Sequence, residues 1–384
     1  MTIDEILSNE PLRLEEFPVA QRSVYLAHAG VCPLPRRVQV ALTAYAAHGA
    51  TCDQEEAVPP SFLADARQAA AGLIGATPSE IAFVGPTSLA LSFVAAGLPW
   101  RRGDSVLLYA DDYPSNVYPW MALASRGVEV RALETDALGR IVPEQVLARV
   151  DDRTRLVALA SCHFVSGWRL EYQEIGRRLR ERGIWFCLDG IQTLGAFPLN
   201  GPCVDFLAAD AHKWLLGPCA AGILYVRKEL QAQLAPVAFG WNNVRCPGFV
   251  AAPELVLQGD ARRYEAGSTN LLGLVGLKAA CDLILELGVD AIAAELLRKR
   301  AWLIAALQAK GLSVLGADAP PANASGIVTA FRPGADMTPV HRRLAAHGVM
   351  TSLRTDRTGQ NYVRFSAHFY NTDSELERAV GALA

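Results

Sequence analysis

Gly183-Ile-Trp-Phe-Cys-Leu-Asp189-Gly-Ile-Gln192-Thr-Leu-Gly195 is the stretch that decides the fold. A short apolar run bounded by glycine and ending on an acid reads as a buried parallel strand whose carboxyl end presents Asp189. Open α/β sheets bind ligands along that edge. The next strand candidate, Asp205 to Ala211, delivers His212 and Lys213. An acid and an amine are therefore expected at the same end of neighbouring strands.

Working outward, strand-like and helix-like runs alternate as a parallel sheet requires. Strands are expected at Glu80 to Val84, Asp104 to Ala110, Val128 to Leu133, Arg155 to Ala160 and Ile184 to Leu188. Helices are expected at Ser61 to Gly75, Ser88 to Gly97, Pro143 to Val150 and Glu171 to Arg182. Beyond Asn270 the pattern changes to a long helix from Leu271 to Leu287 and onward. Strands at Ser313 to Leu315, Gly326 to Phe331 and Tyr362 to Ser366 follow, with a helix at Pro339 to Ala346. The boundary is expected near Gly267 to Gly273. This divides the chain into an N-terminal segment (1–24) packing with the small domain, a large domain (25–268) with a mostly parallel sheet, and a smaller C-terminal α/β domain (269–384).

Lys213 is one of five lysines among 36 basic residues, and it lies in the apolar stretch Asp205-Phe-Leu-Ala-Ala-Asp-Ala-His-Lys-Trp-Leu-Leu-Gly-Pro. A desolvated ε-amine can lose its proton near neutral pH and attack a carbonyl carbon, which a guanidinium cannot do. The alternative is a lysine that snorkels from a strand end. Asp189 upstream favours the chemical reading, because an acid and an amine on adjacent strand ends suit pyridoxal phosphate. Asp189 would keep the pyridine nitrogen protonated, Gln192 could donate to the ring's phenolate oxygen, and Lys213 would carry the cofactor as an imine.

Four stretches in order carry a resemblance: Leu188-Asp189-Gly-Ile-Gln192-Thr-Leu-Gly, Ala211-His212-Lys213-Trp-Leu, Arg263-Tyr-Glu-Ala-Gly267-Ser268-Thr-Asn270 and Val363-Arg364-Phe-Ser-Ala-His-Phe-Tyr370-Asn371-Thr. Over roughly Tyr25 to Asn371 the chain resembles the class V aminotransferase group of pyridoxal-phosphate enzymes, which includes cysteine desulfurases, kynureninase and isopenicillin-N-epimerase-like proteins. The resemblance implies fold type I, the aspartate-aminotransferase-like fold, and a homodimer with a shared active site. It also implies a small amino substrate from which the Cα proton is removed. Transamination, Cβ elimination of the C–S type and epimerisation all share that step. A non-catalytic binding protein on the same fold is disfavoured by the intact Asp189, Gln192 and Lys213.

The resemblance assigns further residues. Gly85-Pro-Thr87-Ser88-Leu89 lies between a strand and a helix, where free amides and the helix dipole suit a phosphate, and it equally suits a simple helix cap. His212 matches a position that supports the phosphate, or fills space beside Trp214. Ser268 stands where relatives donate a threonine hydroxyl across the subunit boundary. Tyr113, in Asp112-Tyr113-Pro-Ser-Asn116, matches an aromatic or imidazole ring over the cofactor, or packs as part of a lid. His163 matches a position facing the cofactor and would relay protons, unless it is a histidine at the core edge. Arg364 would fork onto the substrate carboxylate. Arg354 and Arg357, in a loop-like segment, would read a second acidic group or form a solvated face.

One departure is informative. Desulfurases carry a nucleophilic cysteine before the arginine motif, and Ser352-Leu-Arg-Thr-Asp-Arg-Thr-Gly-Gln-Asn contains none; no cysteine follows Cys281. A desulfurase that stores a persulfide on itself is not expected.

Composition narrows the class. Of 384 residues, 51% are hydrophobic and 20% charged, enough for two buried cores, and the net charge of −3 offers no basic face to nucleic acid. The acidic start Met1-Thr-Ile-Asp-Glu lacks the basic-then-apolar pattern of a secretory leader, and polar residues or proline break every long apolar run, so neither membrane nor secretion is expected. The eight cysteines form no C-x-x-C pair and no ligand-like spacing with the seven histidines. They read as core thiols in a cytoplasmic protein with no metal site.

Overall fold

The structure, a computed structural model, describes residues 1–383. In chain order the strands are β1 (Val24–Tyr25), β2 (Ile81–Phe83), β3 (Ser105–Tyr109), β4 (Glu129–Leu133), β5 (Thr154–Ala160), β6 (Trp185–Asp189), β7 (Phe206–Asp210), β8 (Gly222–Val226), β9 (Ser313–Val314), β10 (Ile327–Phe331), β11 (Val349–Met350), β12 (Ser352–Thr355) and β13 (Asn361–Ser366). Seven build the central sheet in the order β2-β8-β7-β6-β5-β3-β4. The neighbours from β7 to β4 run parallel, whereas β8 runs antiparallel to both β2 and β7.

Burial on both faces explains the composition of these strands. Every residue of β3, β7 and β8 is buried, so the strands are continuous apolar runs rather than alternating ones. At the sheet edge, β4 leaves Glu129 and Ala132 exposed. The crossover helices Thr87–Gly97, Pro143–Arg149 and Tyr172–Glu181 fall where the alternation of patterns places them. Strand β8 is absent from the sequence reading. Its run Gly222-Ile-Leu-Tyr-Val is short and follows a loop, and only the pairing with β7 shows that it belongs to the sheet.

The second sheet, β12-β13-β10-β9, is antiparallel. It corrects the loop-like reading of Arg354, which lies on β12 opposite Tyr362. With four residues and one large apolar side chain, β12 has too little local pattern to announce itself; its partner β13 defines it.

Helix Leu271–Leu287 opens with Asn270, whose side chain accepts the N–H of Gly273 at 3.0 Å. Its buried face packs on helices Arg36–Gly49 and Phe62–Leu73 and shares one core with Leu188 and Leu207 of the central sheet. In packing, this helix therefore goes with the large sheet although it follows residue 268. The N-terminal segment lies on the C-terminal end of the chain: Phe17 stacks on Tyr370 with ring centroids 4.0 Å apart, and Arg13 Nη1 donates to Glu375 Oε1 at 3.0 Å. No helix among the described residues is long and apolar enough to cross a membrane.

Candidate active site

A cleft of about 260 Å³ opens at the carboxyl ends of β6 and β7. It is lined by Thr87, Ser88, Tyr113, Asp189, Gln192, His212, Lys213, Arg354 and Arg364, which the sequence reading nominated, and by Ala29, Gly30, Val31, Pro86, Ser115, Phe164 and Ile191, which it did not assign. No cysteine among the described residues lines this cleft.

Lys213 is presented by a tight loop between β7 and β8. Leu216 N–H donates to Lys213 O at 3.2 Å and Gly217 N–H to Ala211 O at 2.9 Å, closing the loop on itself. Leu216 and Ala220 take φ of 62° and 58°, the left-handed region that L residues rarely enter. Burial of Leu216 holds this conformation in place. Lys213 is only 6% exposed, with Nζ 5.2 Å from the centre of the Tyr113 ring. Burial lowers its pKa to about 8, Arg364 and Arg354 push the same way, and Asp189 and Asp112 oppose them.

Asp189 ends β6. Its Oδ1 accepts the N–H of Ile191 at 3.0 Å, leaving Oδ2 without a hydrogen bond among the described residues. Burial raises its pKa, against that bond and the charges of Lys213 and His212. Gln192 has a fixed orientation: Trp214 Nε1 donates to its Oε1 at 3.0 Å, and its Nε2 donates to Ala29 O at 3.1 Å. One N–H of that amide remains for a ligand.

At the other end of the cleft, the amides of Thr87 and Ser88 open helix Thr87–Gly97 and have no main-chain acceptor among the described residues. The Thr87 hydroxyl accepts the N–H of Asp210 at 2.9 Å, which leaves its own proton free to donate. His212 lies beside them, with Nδ1 2.9 Å from Asp210 Oδ2 but outside hydrogen-bonding geometry. Gly85 precedes this turn because a Cβ there would fall 2.6 Å from Ala220 O.

Arg364 is 1% exposed and has no acidic partner among the described residues. Its Nη1 donates to Phe164 O at 2.6 Å, its Nη2 lies 3.4 Å from Ser352 Oγ, and its Nε has no acceptor. Arg354 donates through Nη1 to Leu353 O at 3.0 Å and also leaves Nε unpaired. A Cβ built on Gly30 would stand 3.6 Å from Nη2 of both, so the two guanidinium groups converge on one wall of the cleft. Burial pushes both pKa values down, yet a guanidinium stays charged at neutral pH. One buried and one half-buried cation without a carboxylate among the described residues call for an anionic ligand.

Four nominated residues lie elsewhere. His163 is buried outside the cleft. Its Nδ1 accepts the N–H of Ser166 at 3.1 Å, so Nε2 carries the proton and donates to Asp111 O at 3.1 Å. Burial lowers its pKa to about 4. Both ring nitrogens are committed, which corrects the expectation that it faces the cofactor. Leu89 also departs from its expected place: its N–H turns back to Pro86 O at 2.9 Å and its side chain points into a neighbouring depression. Ser268 lines that same depression with Gly85 and Asn270. Arg357 lines a separate depression, with Nε 2.5 Å from Asp111 Oδ1. Of the unassigned lining residues, Gly30 left a trace in Leu26-Ala-His-Ala-Gly30, small residues that permit close approach. Phe164 left none, because its contribution is a main-chain oxygen.

The donor set fits pyridoxal phosphate: free amides and a hydroxyl for a phosphate, an open carboxylate oxygen for a pyridinium, one amide N–H for a phenolate and a buried amine for the aldehyde. Comparisons agree. The profile of the aminotransferase class-V family matches residues 24–379. A probable cysteine desulfurase of Methanothermobacter thermautotrophicus is 30% identical over 383 residues, covering 94% of each chain. Among solved structures, the apo cysteine desulfurase of Thermococcus onnurineus NA1 superposes with a TM-score of 0.88 at 24% identity, covering 98% of this chain and 97% of that one. The cystine C-S lyase C-DES, in complex with its product cysteine persulfide, superposes with a TM-score of 0.86 at 22% identity, covering 96% and 98%. Fold and donor set define a fold type I enzyme that uses pyridoxal phosphate. The chain belongs to the class V aminotransferase family.

Proposed function

We propose that this enzyme is a Cβ-eliminating C–S lyase acting on an amino acid that carries a second acidic group. The observation that carries the reading is the pair Arg364, buried, and Arg354, half-buried, which converge without a carboxylate partner among the described residues on one wall of a cleft lined by no cysteine among them. A relative named for cysteine desulfuration and a structural neighbour named a cystine C-S lyase both point to chemistry at a C–S bond. Without a cleft thiol to take up sulfur, elimination is favoured over desulfuration as the route through a C–S bond.

Thr87, Ser88 and His212 would bind the phosphate, Asp189 Oδ2 would hold the pyridine nitrogen in its protonated form, and Tyr113 would wall the ring. When bound, the cofactor supplies an electron sink for the pair left at Cα. Lys213 Nζ would hold the cofactor's aldehyde and, once freed by the substrate amine, would take the proton from Cα, so that the Cβ–S bond can break with sulfur leaving on its electron pair. The released enamine hydrolyses to pyruvate and ammonia. Arg364 orients the α-carboxylate and Arg354 the distal acid, fixing the Cα–H bond toward Lys213.

The site is read as shared in a homodimer. Ser268 does not reach the cleft of its own chain, in keeping with Ser268 of the partner subunit completing the phosphate site. Phe239, Trp241, Phe249, Val250, Leu255 and Val256 form an exposed apolar stretch of the kind a subunit interface covers. Eight free thiols suit the cytoplasm. Incubating the holoenzyme with cystine, cysteine, aspartate and alanine tests the reaction. Pyruvate and ammonia from cystine, with little turnover of alanine, are expected. Alanine formed from cysteine would refute elimination, and so would a 2-oxo acid formed with retention of the substrate's carbon–sulfur bond.

A further inference from the structure

We infer that Asp112 is a positioning residue whose carboxylate fixes the loop carrying Tyr113 over the cleft by accepting three donors at once. The inference rests on the proposed role of Tyr113 as the wall of the cofactor site. Asp112 is buried just past the end of β3. Its Oδ1 accepts the N–H of Tyr113 at 2.7 Å. Its Oδ2 accepts Asn116 Nδ2 at 3.0 Å and the N–H of Ala160 at 3.1 Å. Asn116 is itself oriented by Trp120, whose Nε1 donates to its Oδ1 at 3.1 Å. Ala160 is the last residue of β5 and pairs with Asp189 on β6. One side chain therefore ties the loop above the cleft to the strand end beside the acid at its floor.

The residue type follows from the donors. Both oxygens face N–H groups, so an ionised carboxylate satisfies all three, whereas an amide has a single accepting oxygen. Asparagine at 112 would turn its own NH2 toward Tyr113 in one orientation and toward Asn116 and Ala160 in the other. A buried donor left facing a donor is expensive, so the loop would shift instead. Burial and the neighbouring Asp189 push the Asp112 carboxyl up to about 7, and the three donors oppose that shift.

The test uses four holoenzymes: wild type, Asp112→Asn, Tyr113→Ala and the double variant. The readouts are the cofactor dissociation constant and the visible circular dichroism of the bound cofactor, which reports how the ring is held. Asp112→Asn should weaken cofactor binding about tenfold, the equivalent of one charge-assisted hydrogen bond. It should also reduce the dichroism as Tyr113→Ala does, and the double variant should bind no worse than Tyr113→Ala alone. If Tyr113→Ala changes neither readout, the role of Tyr113 and the inference both fall. If Tyr113→Ala does change them, an unaltered Asp112→Asn protein overturns the inference alone, and so do losses that add in the double variant. Should Asp112→Asn not fold, Asn116→Leu removes one donor and leaves the carboxylate in place. A smaller loss that vanishes in the Tyr113→Ala background supports the inference, and no loss overturns it.

Discussion

At Lys213, burial sets the protonation state that the chemistry needs. Its pKa of about 8 in the folded chain lies below the ordinary 10.5. Below pH 8 the amine is protonated in both folded and unfolded states, and the folded state bears the full cost of a buried ammonium. That cost shrinks as pH rises from 8 and vanishes above 10.5, where both states are neutral. In the cofactor-free protein at pH 7, Lys213→Met should therefore stabilise the fold by about 3 kcal/mol. Most of the gain should be gone by pH 10. Urea unfolding at the two pH values checks this, and a gain independent of pH would place the amine in solvent. Asp189, at the end of the neighbouring strand, is proposed to act on the same reaction. Asp189→Asn keeps a hydrogen-bonding group but removes the charge that holds a pyridinium, so Cα proton exchange should slow by about 2–4 kcal/mol in barrier. Exchange of the substrate Cα hydrogen in deuterium oxide measures it directly.

The loop from Ala211 to Ala221 shows how an element can be shaped for a single side chain. Two L residues in the left-handed region each cost about 1 kcal/mol, and the loop keeps them because its closing hydrogen bonds and the burial of Leu216 allow no other path. Ala220 is exposed, so its strain can be relieved without opening the core. Ala220→Gly should raise stability by about 0.5–1 kcal/mol, visible as a higher Tm in calorimetry, with turnover unchanged. Leu216→Gly should do the reverse, because the lost packing exceeds the relief of strain. Helix Asp373–Gly381 offers a second case: Thr372 accepts the N–H of Glu375 at 3.3 Å while Glu375 Oε2 accepts the N–H of Thr372 at 3.1 Å. Removing this cap with Thr372→Ala should cost about 1 kcal/mol in chemical denaturation.

For the whole molecule, the proposed sharing of the site between subunits carries the sharpest expectation. Lys213→Ala and a Ser268→Trp protein should each be inactive, and mixing them with subunit exchange should restore activity, since one of the two sites in a mixed dimer then has both residues intact. Exchange proven by mass spectrometry without recovery would favour a site built within one chain. The absence of a cleft cysteine gives another expectation at this scale. Incubation with cysteine should leave every thiol free of persulfide by mass spectrometry. A stoichiometric persulfide accompanied by alanine would make the protein a desulfurase after all.

How much was legible in the chain depends on how far apart the cooperating residues stand. Asp189, Gln192, His212 and Lys213 could be read directly, because each follows an apolar strand whose burial is written in consecutive residues and whose carboxyl end is the ligand edge. The parallel core and its crossover helices were legible for the same reason. By contrast, β8 and β12 depend on partners, and no local pattern marks a short strand that a distant neighbour completes. The orientation of His163 was equally hidden: a histidine at a strand end looks poised for chemistry until Ser166 and Asp111 occupy its nitrogens. Convergence of Arg354 and Arg364 over Gly30, and the three donors gathered on Asp112, join residues far apart in the chain. Sequence determined which groups are present and which strand ends they follow, because burial and turn chemistry act locally. Tertiary structure decided which groups face the cleft and which are already satisfied, because hydrogen bonds and charge pairing act between neighbours in space.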